Sequence, residues 1–290
     1  MKKIVCAAMV VLAAGVLLAS CRRKESSEDF GKRRVVLISR EEGSGTRGSF
    51  VELFGIEQKN DAGQKVDMTS DEADVTNSTE VMLTSVAGNK GAVGYVSLGS
   101  LSDSVKALAI DGVYPSVATI KAGSYKASRP FNVVTKEDTS EVAEDFIRFI
   151  LSSDGQAVVE KAGYIAAASN PRYVATGKKG KVTVAGSSSV TPVMEKLAEA
   201  YQKLSPGVKV EVQLSDSTTG INSVSSGVCD IGMASRELKD SERDKGLDER
   251  TIATDGIALI VNKANPIDAL SSGAVKSLFT GEATTWSDVH

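Results

Sequence analysis

The sequence predicts an α/β protein whose sheets are rich in parallel strands. Short apolar runs with many β-branched residues alternate along the chain with segments whose apolar residues have helical spacing. The 290 residues are 41% hydrophobic and 24% charged, which is typical of a soluble globular protein with one large domain or two lobes. The formal charge of −3 shows no basic excess, so no nucleic-acid partner is predicted.

The first 32 residues predict export and a membrane anchor. Residues 1–20 have the pattern of a signal peptide, with a basic start, an apolar run and a small-residue cleavage site before Cys21. A cysteine at this position is typical of a bacterial lipobox and predicts that Cys21 carries lipid as the first mature residue. An ordinary signal peptide with an incidental cysteine is the alternative. Residues 21–32 are polar and aperiodic, which predicts a lipidated tether in the periplasm or at the cell surface.

The first half of the mature chain opens with a strand, a glycine turn and a helix. Residues 35–38 are apolar and end near a glycine, and helical spacing begins at Ser49. Ser78 is a plausible N-cap for a helix that ends at Gly88. The remaining predictions are a loop over 57–74, strands at 91–98 and 105–110, and a long connection over 111–130.

The second half repeats the strand–turn–helix pattern. A helix is predicted to start at Thr191, because an N-cap residue followed by proline is a common helix start. The other predictions are a strand at 131–135, helices over 142–155 and from 158, a linker at 176–180, and strands at 182–185, 208–212 and 252–261. Cys229 lies in an apolar run and is predicted to be a small buried side chain.

Three turns that follow strands are dense in hydroxyl groups, namely residues 44–46, 187–189 and 215–219. Glycine and serine also favour turns for backbone reasons alone, so turn chemistry is the alternative interpretation of each. Ligands of open α/β sheets bind outside the carboxyl ends of strands, where unpaired amides and helix dipoles favour anions. With Arg40 as a forked donor beside the first turn, the sequence predicts a site for a small oxyanion.

Enzymatic chemistry has little support in the sequence. The only histidine is His290, at the last position, so neither a Ser/His dyad nor a histidine-based metal site is predicted, and no phosphate-binding P-loop motif occurs. A serine nucleophile would need a lysine base, and no residue pattern indicates one. Neither a metal nor an organic cofactor is therefore expected.

Five motifs together closely resemble the phosphate-binding lipoproteins of bacterial Pst-type ABC importers. They are REEGSGTR at 40–47, GYVS at 94–97, GSSSVTP at 186–192, IGMASREL at 231–238, and FTG at 279–281 with WSD at 286–288. The resemblance covers residues 33–290. It implies a two-lobed type II periplasmic-binding fold with a hinge of crossing strands, which closes on inorganic phosphate and delivers it to ABC permease subunits as a monomer.

The order of the two halves departs from that family. The family segment that is similar to 181–289 precedes the one similar to 33–165, so this chain resembles a circular permutant joined near 170–180. One lobe is then expected at 31–128 plus 262–290 and the other at 131–260, with strands near 131–135 and 257–261 crossing between them. A fragment of a longer or misassembled reading frame is the alternative explanation.

The resemblance also implies which residues bind phosphate. Arg40, Ser44, Gly45 and Thr46 are expected from one lobe, and Ser188, Ser189 and Thr218 from the other. Glu42 is expected to pair with Arg40 or to face the ligand region. Arg236 occupies the position at which some family members have an aspartate that accepts the ligand's proton. Asp255 is the predicted substitute, with a turn or cap role as its alternative.

Four functions remain open at this point. The first is a receptor that captures inorganic phosphate for an ABC permease. The second is a binding protein for another oxyanion, such as sulfate, molybdate or phosphonate. A phosphohydrolase and a surface lipoprotein that has lost ligand binding complete the set.

Overall fold

The computed structural model describes residues 27–61 and 63–289. The predicted signal peptide at 1–20 and the predicted lipidation site Cys21 lie outside these residues, as do residues 22–26 of the predicted tether. No helix within the described ranges combines the length and the apolar character that crossing a membrane requires.

Strands and helices alternate along the described chain, which confirms the predicted α/β class. The strands are β1 (Val36–Arg40), β2 (Glu57–Lys59), β3 (Lys65–Asp67), β4 (Asp74–Thr76), β5 (Ala92–Ser97), β6 (Val105–Ala107), β7 (Ala109–Ile110), β8 (Ser128–Lys136), β9 (Ile165–Ala166), β10 (Gly180–Ser187), β11 (Val208–Ser215), β12 (Ile231–Ala234), β13 (Leu247–Asn262) and β14 (Ala269–Leu270). The helices are α1 (Ser27–Gly31), α2 (Gly45–Leu53), α3 (Thr79–Gly88), α4 (Val117–Lys121), α5 (Glu141–Leu151), α6 (Ser153–Lys161), α7 (Thr191–Leu204), α8 (Ser217–Ser225), α9 (Asp240–Arg243) and α10 (Ser272–Phe279).

One path of hydrogen-bonded strands runs through the molecule in the order β11-β10-β12-β8-β13-β5-β1-β4. The pairs at both ends of this path are parallel, whereas the pairs that flank β13 are antiparallel. We call the half with β4, β1 and β5 the first lobe, and the half with β11, β10, β12 and β8 the second lobe. Parallel strands end at a common edge, so the turns after β1 and β10 are presented at the carboxyl edges of their sheets.

The long strand β13 belongs to both lobes. It pairs with β8 from Leu247 to Gly256 and with β5 from Ile257 to Val261. The chain crosses again just before β8, where the Ile257 amide donates to the Ala127 carbonyl at 2.8 Å. These two crossings form the predicted hinge, although they fall at Gly256–Ile257 and just before β8, and the strand expected to cross at 131–135 pairs within the second lobe.

Each lobe has its own apolar core. In the first lobe the Phe50 ring stacks on Tyr95 with centroids 3.9 Å apart, and Phe279 and Trp286 are fully buried beside them. The second lobe buries one face of α5 and α7 against its sheet, where Phe146 packs on Tyr201. Cys229 is buried in a smaller cluster in that lobe, as predicted. Separate cores allow the lobes to move as units about the hinge.

Helix starts were more predictable than loops. Ser78 caps α3, because its Oγ accepts from the Val81 amide at 3.3 Å. The predicted loop over 57–74 instead contains the β2–β3 hairpin, and the connection over 111–130 contains α4. Helix α4 is stabilised by a capping box between Ser116 and Thr119, a short-range signal that the sequence reading missed.

The predicted tether is wrong in its last part. Residues 27–31 form α1, and Phe30 is buried against Trp286 with ring centroids 6.2 Å apart. The predicted tether is polar apart from Phe30, and Trp286, against which Phe30 packs, lies more than 250 positions later in the sequence. The folded part of the chain therefore begins before residue 33.

Candidate functional site

The first half of the site is the turn from Arg40 to Thr46, which we call the first jaw. It follows the carboxyl end of β1 and leads directly into α2. Ser44 is the N-cap of this helix, and its Oγ accepts from the Arg47 amide at 3.3 Å. The first residues of a helix carry unpaired N–H groups and the positive end of the dipole, so this turn offers donors to an anion.

The second half of the site comprises Ser188, Ser189 and Thr218, which we call the second jaw. Ser188 and Ser189 lie between β10 and α7, where Pro192 occupies the first turn of the helix. Thr218 lies in the first turn of α8, whose N-cap is Asp216. Both parts are held together because the Ser188 amide donates to the Ser215 carbonyl at 3.0 Å.

The two jaws touch each other across the cleft between the lobes. Arg40 Nη2 donates to Ser188 Oγ at 3.0 Å, and Thr46 Oγ1 lies 2.8 Å from Ser189 Oγ. Thr218 donates to the Gly43 carbonyl through its amide and its hydroxyl, both at 3.2 Å. The residues expected from the two lobes are therefore brought to one place, although well over a hundred positions separate them in the sequence.

Gly45 lets the jaws approach closely. A Cβ atom at this position would clash with Ser217 Oγ and would lie 2.7 Å from Ser235 Oγ. The first turn of α2 thus packs directly on the second lobe, and a larger residue would have to displace the Ser217 and Ser235 hydroxyls or move the lobes apart.

Arg40 is fully buried and held by a neighbouring carboxylate. Its Nη2 and Nε atoms donate to the two carboxylate oxygens of Glu41 at 2.6 and 2.7 Å. The predicted pairing of Glu42 with Arg40 is wrong, because Glu41 is the partner of Arg40 and Glu42 is exposed. A forked ion pair fixes the plane of the guanidinium, which leaves Nη1 and part of Nη2 to face the cleft.

Thr79 is a site residue that the sequence reading missed. Its Oγ1 lies 3.3 Å from the hydroxyls of both Ser188 and Ser189 and 3.5 Å from Arg40 Nη1. It is the first residue of α3, directly after the N-cap that was identified from the sequence. The sequence does contain a signal for Thr79. Like the serines and threonines of the other three turns, it has a hydroxyl group and lies at the start of a helix that follows a strand.

Arg236 contacts Thr218 of the second jaw and is itself held in an ion pair. It forms a forked ion pair with Glu242 at 2.7 and 2.8 Å and donates to Thr218 Oγ1 at 3.2 Å. Burial would raise the pKa of Glu242, but the hydrogen bonds from Arg236 and from the Lys239 amide hold it below its usual value. Glu242 is therefore ionised at neutral pH, and Arg236 remains paired beside Thr218.

Asp255 is not brought to the jaws. Its carboxylate is buried in the hinge, 3.2 Å from Arg129 Nη2, and accepts from the Gly99 amide at 3.4 Å. Burial raises the pKa of Asp255 to about 6, although the Arg129 cation opposes that shift. The structure thus gives Asp255 a protein cation as its partner, where the sequence reading expected the proton of a ligand.

The arrangement as a whole is suited to an anion. The N-termini of α2, α3, α7 and α8 meet at the jaws together with several hydroxyl groups and the buried Arg40, and the buried Arg236 lies beside Thr218. A cleft of about 320 Å³ opens beside this point, lined by Thr79, Ser100, Ser188 and Leu214 among others. Within residues 27–61 and 63–289, no three His, Cys, Asp or Glu side chains are grouped to hold a metal ion.

Comparisons with known proteins agree with this architecture. The model of the PBP superfamily domain matches residues 24–154 and 173–290. The phosphate-binding protein PstS 2 of Streptococcus agalactiae serotype V is 58% identical over 274 residues, which cover 94% of this chain and 93% of the relative. The phosphate-binding protein PstS 2 of Streptococcus pneumoniae serotype 4 is 43% identical over 289 residues, which cover 99% of both chains.

A solved structure is similar over most of the chain. The crystal structure of a phosphate-binding protein of a phosphate ABC transporter from Streptococcus pneumoniae matches with a TM-score of 0.70 and 44% sequence identity. The match covers 89% of this chain and all of that one. The predicted two-lobed type II periplasmic-binding fold is thereby confirmed. The chain is a member of the PBP superfamily and belongs to the same family as these streptococcal PstS 2 proteins.

Proposed function

We propose that this protein captures inorganic phosphate between its two lobes and delivers it to the permease subunits of an ABC importer. The observation that carries the proposal is the meeting of the two jaws, in which Arg40 reaches Ser188 and Thr46 reaches Ser189. The relatives that align over nearly the whole chain are named as phosphate-binding proteins.

The chemistry of the jaws suits a tetrahedral oxyanion. Hydroxyl groups and helix N-termini of both lobes lie at the jaws, and Arg40 supplies a buried cation, while the buried Arg236 beside Thr218 is paired with Glu242. Each hydrogen bond to a charged group contributes about 1.5–3 kcal/mol, so a shell of such donors can replace the water that phosphate loses on entering. In this proposal phosphate displaces the direct contacts between the jaws and becomes the bridge that holds the lobes closed.

The proposal extends to how the protein is placed and assembled. The signal peptide pattern and Cys21 support export and lipid anchoring to the bacterial cell membrane, in the periplasm or at the cell surface. Each chain carries both jaws, so a monomer contains the complete binding site. The protein is a binding component and not an enzyme, since the jaws supply donors to an anion and no activated nucleophile.

The permuted order of the two halves is also part of the proposal. The two ends of the described chain lie side by side, because Arg34 and Thr285 form a bridge and the Val35 amide donates to the Thr284 carbonyl at 2.8 Å. Adjacent ends are what a circular permutation requires. The alignments that span 93–99% of the PstS 2 relatives imply that those proteins share the order, which disfavours a misassembled fragment.

Calorimetric titration with phosphate, sulfate and molybdate tests the proposal on the detergent-solubilised full chain. We expect tight phosphate binding, weaker binding of the other anions, and an affinity loss of about 10- to 100-fold in Arg40→Ala. Arg172→Ala is the matched control, because Arg172 is an exposed arginine paired with Asp154 away from the jaws. Absence of heat with all three anions would contradict a binding function, and turnover of a phosphate ester would favour a phosphohydrolase.

A further inference from the structure

The ion pair between Asp255 and Arg129 lies at the point where the chain passes from one lobe to the other. The two residues are direct cross-strand partners in the β13–β8 pair, one position before the last pair of that ladder. The next residues of β13 pair with β5 of the first lobe. Both side chains are 1% exposed, so a complete ion pair is buried inside the hinge.

The carboxylate of Asp255 connects the two lobes. One oxygen lies 3.2 Å from Arg129 Nη2, on a strand of the second lobe. The other accepts from the Gly99 amide at 3.4 Å, in the short helical turn that follows β5 of the first lobe. A rotation of one lobe about the hinge therefore changes the surroundings of this carboxylate.

Arg129 links Asp255 to residues beside the two jaws. Its Nη1 donates to the Ser235 carbonyl at 3.2 Å, directly after β12. The same carbonyl accepts from Ser49 Oγ of α2 at 3.3 Å, so it receives one donor from each lobe. The Ser235 amide donates to Ser217 Oγ at 3.1 Å, and the Ser235 hydroxyl accepts from Ser187 Oγ at 3.0 Å. Ser235 thus lies between the hinge pair and both jaws.

The charge of the ion pair between Asp255 and Arg129 depends on pH between about 5 and 8. Burial raises the pKa of Asp255 to about 6, and burial also lowers the pKa of Arg129 below its usual value. The other charged or titratable groups that act on the pair are Tyr164, whose pKa burial raises to about 12, and Arg40 of the first jaw. Of Asp255, Arg129 and Tyr164, Asp255 is the group whose pKa lies between pH 5 and 8.

We propose that Asp255 and Arg129 are positioning residues for phosphate binding. The charged pair fixes Ser235 so that the two jaws meet in the closed arrangement, and loss of the carboxylate charge weakens closure. Neither residue contacts the ligand in this proposal. The inference rests on the proposed phosphate-binding function, and it replaces a direct role for Asp255 with one that acts through Arg129.

The test compares phosphate dissociation constants of the unaltered full chain and of Asp255→Asn from pH 5 to pH 8, by calorimetry in detergent. The ratio of the two constants is the useful quantity, because the ionisation of phosphate itself affects both proteins equally. We expect Asp255→Asn to bind about tenfold more weakly at pH 8 and nearly equally at pH 5, where the unaltered chain also has a neutral residue 255. A purely structural role would give a ratio that does not vary with pH.

Asp145→Asn is the matched control. Asp145 is another fully buried carboxylate of the second lobe, and it accepts from Tyr173 and Tyr201 at 2.6 and 2.7 Å far from the hinge. We expect its ratio to stay near one throughout the pH range. A ratio for Asp255→Asn that is flat with pH, or that follows the control, would overturn the inference.

A double variant keeps the inference testable if Asp255→Asn does not fold. Asp255→Asn leaves Arg129 as an unpaired buried cation, whereas Asp255→Asn combined with Arg129→Gln makes a neutral pair that can still hydrogen-bond. The double variant is expected to show the same dependence of the ratio on pH. If the unaltered chain binds no phosphate at any pH, both the proposed function and this inference fail. If it binds but the ratios are flat, only the inference fails.

Discussion

Arg40 Nη2 donates to Ser188 Oγ at 3.0 Å across the cleft, although 148 positions separate the two residues in the sequence. Arg40 belongs to the first lobe and Ser188 to the second, so neither lobe contains a complete site. Ligand affinity must therefore include the free energy of bringing the lobes together. Residues that control closure are expected to affect affinity as strongly as residues that touch the ligand.

Gly45→Ala is expected to weaken closure of the two lobes without lowering the stability of the fold. The new methyl group would clash with Ser217 Oγ and Ser235 Oγ of the opposite lobe, while alanine suits the first turn of α2 better than glycine does. We expect phosphate affinity to fall by at least about tenfold with an unchanged or slightly raised melting temperature without ligand. Calorimetry and thermal unfolding measure the two quantities.

Gly48→Ala is the control for that substitution. Gly48 lies in the same helix, but a Cβ atom there would be 3.6 Å from Arg236 Cδ, which is an ordinary contact distance. Its phosphate affinity should match that of the unaltered chain. Equal losses in both variants would show that α2 is sensitive to any alanine and that closure is not the cause.

Glu41→Gln and Glu42→Gln are expected to differ despite being neighbours. Glu41 holds the buried Arg40 through two short hydrogen bonds, whereas Glu42 is exposed. Loss of one charge-assisted bond costs about 1.5–3 kcal/mol, so Glu41→Gln should weaken phosphate binding about 10- to 100-fold. Titration of Glu42→Gln should give an unchanged constant, and a larger effect there would restore its predicted role.

Thr79→Val tests the site residue that the sequence reading missed. Valine keeps the shape of threonine but removes the hydroxyl that lies 3.3 Å from Ser188 and Ser189. A single neutral hydrogen-bond donor to an anion is worth about 1.5–3 kcal/mol, so affinity should fall about tenfold or more. Thr183→Val is the control, since Thr183 lies in the middle of β10, four residues before the end that leads to Ser188. Similar affinities for the two variants would exclude Thr79 from the site.

Most of the jaw residues were predictable because they follow local rules. Ser44 and Thr46 begin a helix after a buried strand, and Ser188 and Ser189 do the same in the second lobe. Such junctions depend on short-range backbone chemistry, which a sequence displays directly. Local patterns combined with the family motifs were sufficient to name residues that the structure brings together, and their role in phosphate binding stays a prediction.

The incorrect predictions concern contacts that depend on the orientation of a side chain or on packing between distant parts of the chain. Glu41 and Glu42 are adjacent, and only the direction of each side chain at the end of β1 determines which one meets Arg40. The partner of Asp255 depends on the register of β8 against β13, which joins residues 126 positions apart. The burial of Phe30 against Trp286 likewise joins the two ends of the chain. None of these relationships has a local signature.

Asp255→Asn should also change how stability depends on pH, in a direction that the buried pair fixes. The pKa of Asp255 is about 6 in the folded protein and 3.8 as its ordinary value, so the folded state binds its proton more tightly than the unfolded state does. Its contribution to stability is therefore complete below about pH 4 and is lost as the pH rises through 6. At about 1.4 kcal/mol per pKa unit, the variant should gain about 3 kcal/mol relative to the unaltered chain between pH 4 and 7.

Urea unfolding without phosphate at several pH values measures this difference, and Asp145→Asn provides a control that should show little change between pH 4 and 7. Burial would raise the pKa of Asp145, but hydrogen bonds from Tyr173 and Tyr201 lower it overall, so this carboxylate stabilises the fold as the pH rises. The stability of Asp145→Asn relative to the unaltered chain should therefore change mainly below about pH 4 and stay nearly constant from pH 4 to 7, where that of Asp255→Asn rises. Parallel curves would contradict the raised pKa of Asp255. A rise for Asp255→Asn alone, together with its weakened phosphate binding, would mean that the hinge keeps a charge that destabilises the fold because closure depends on it.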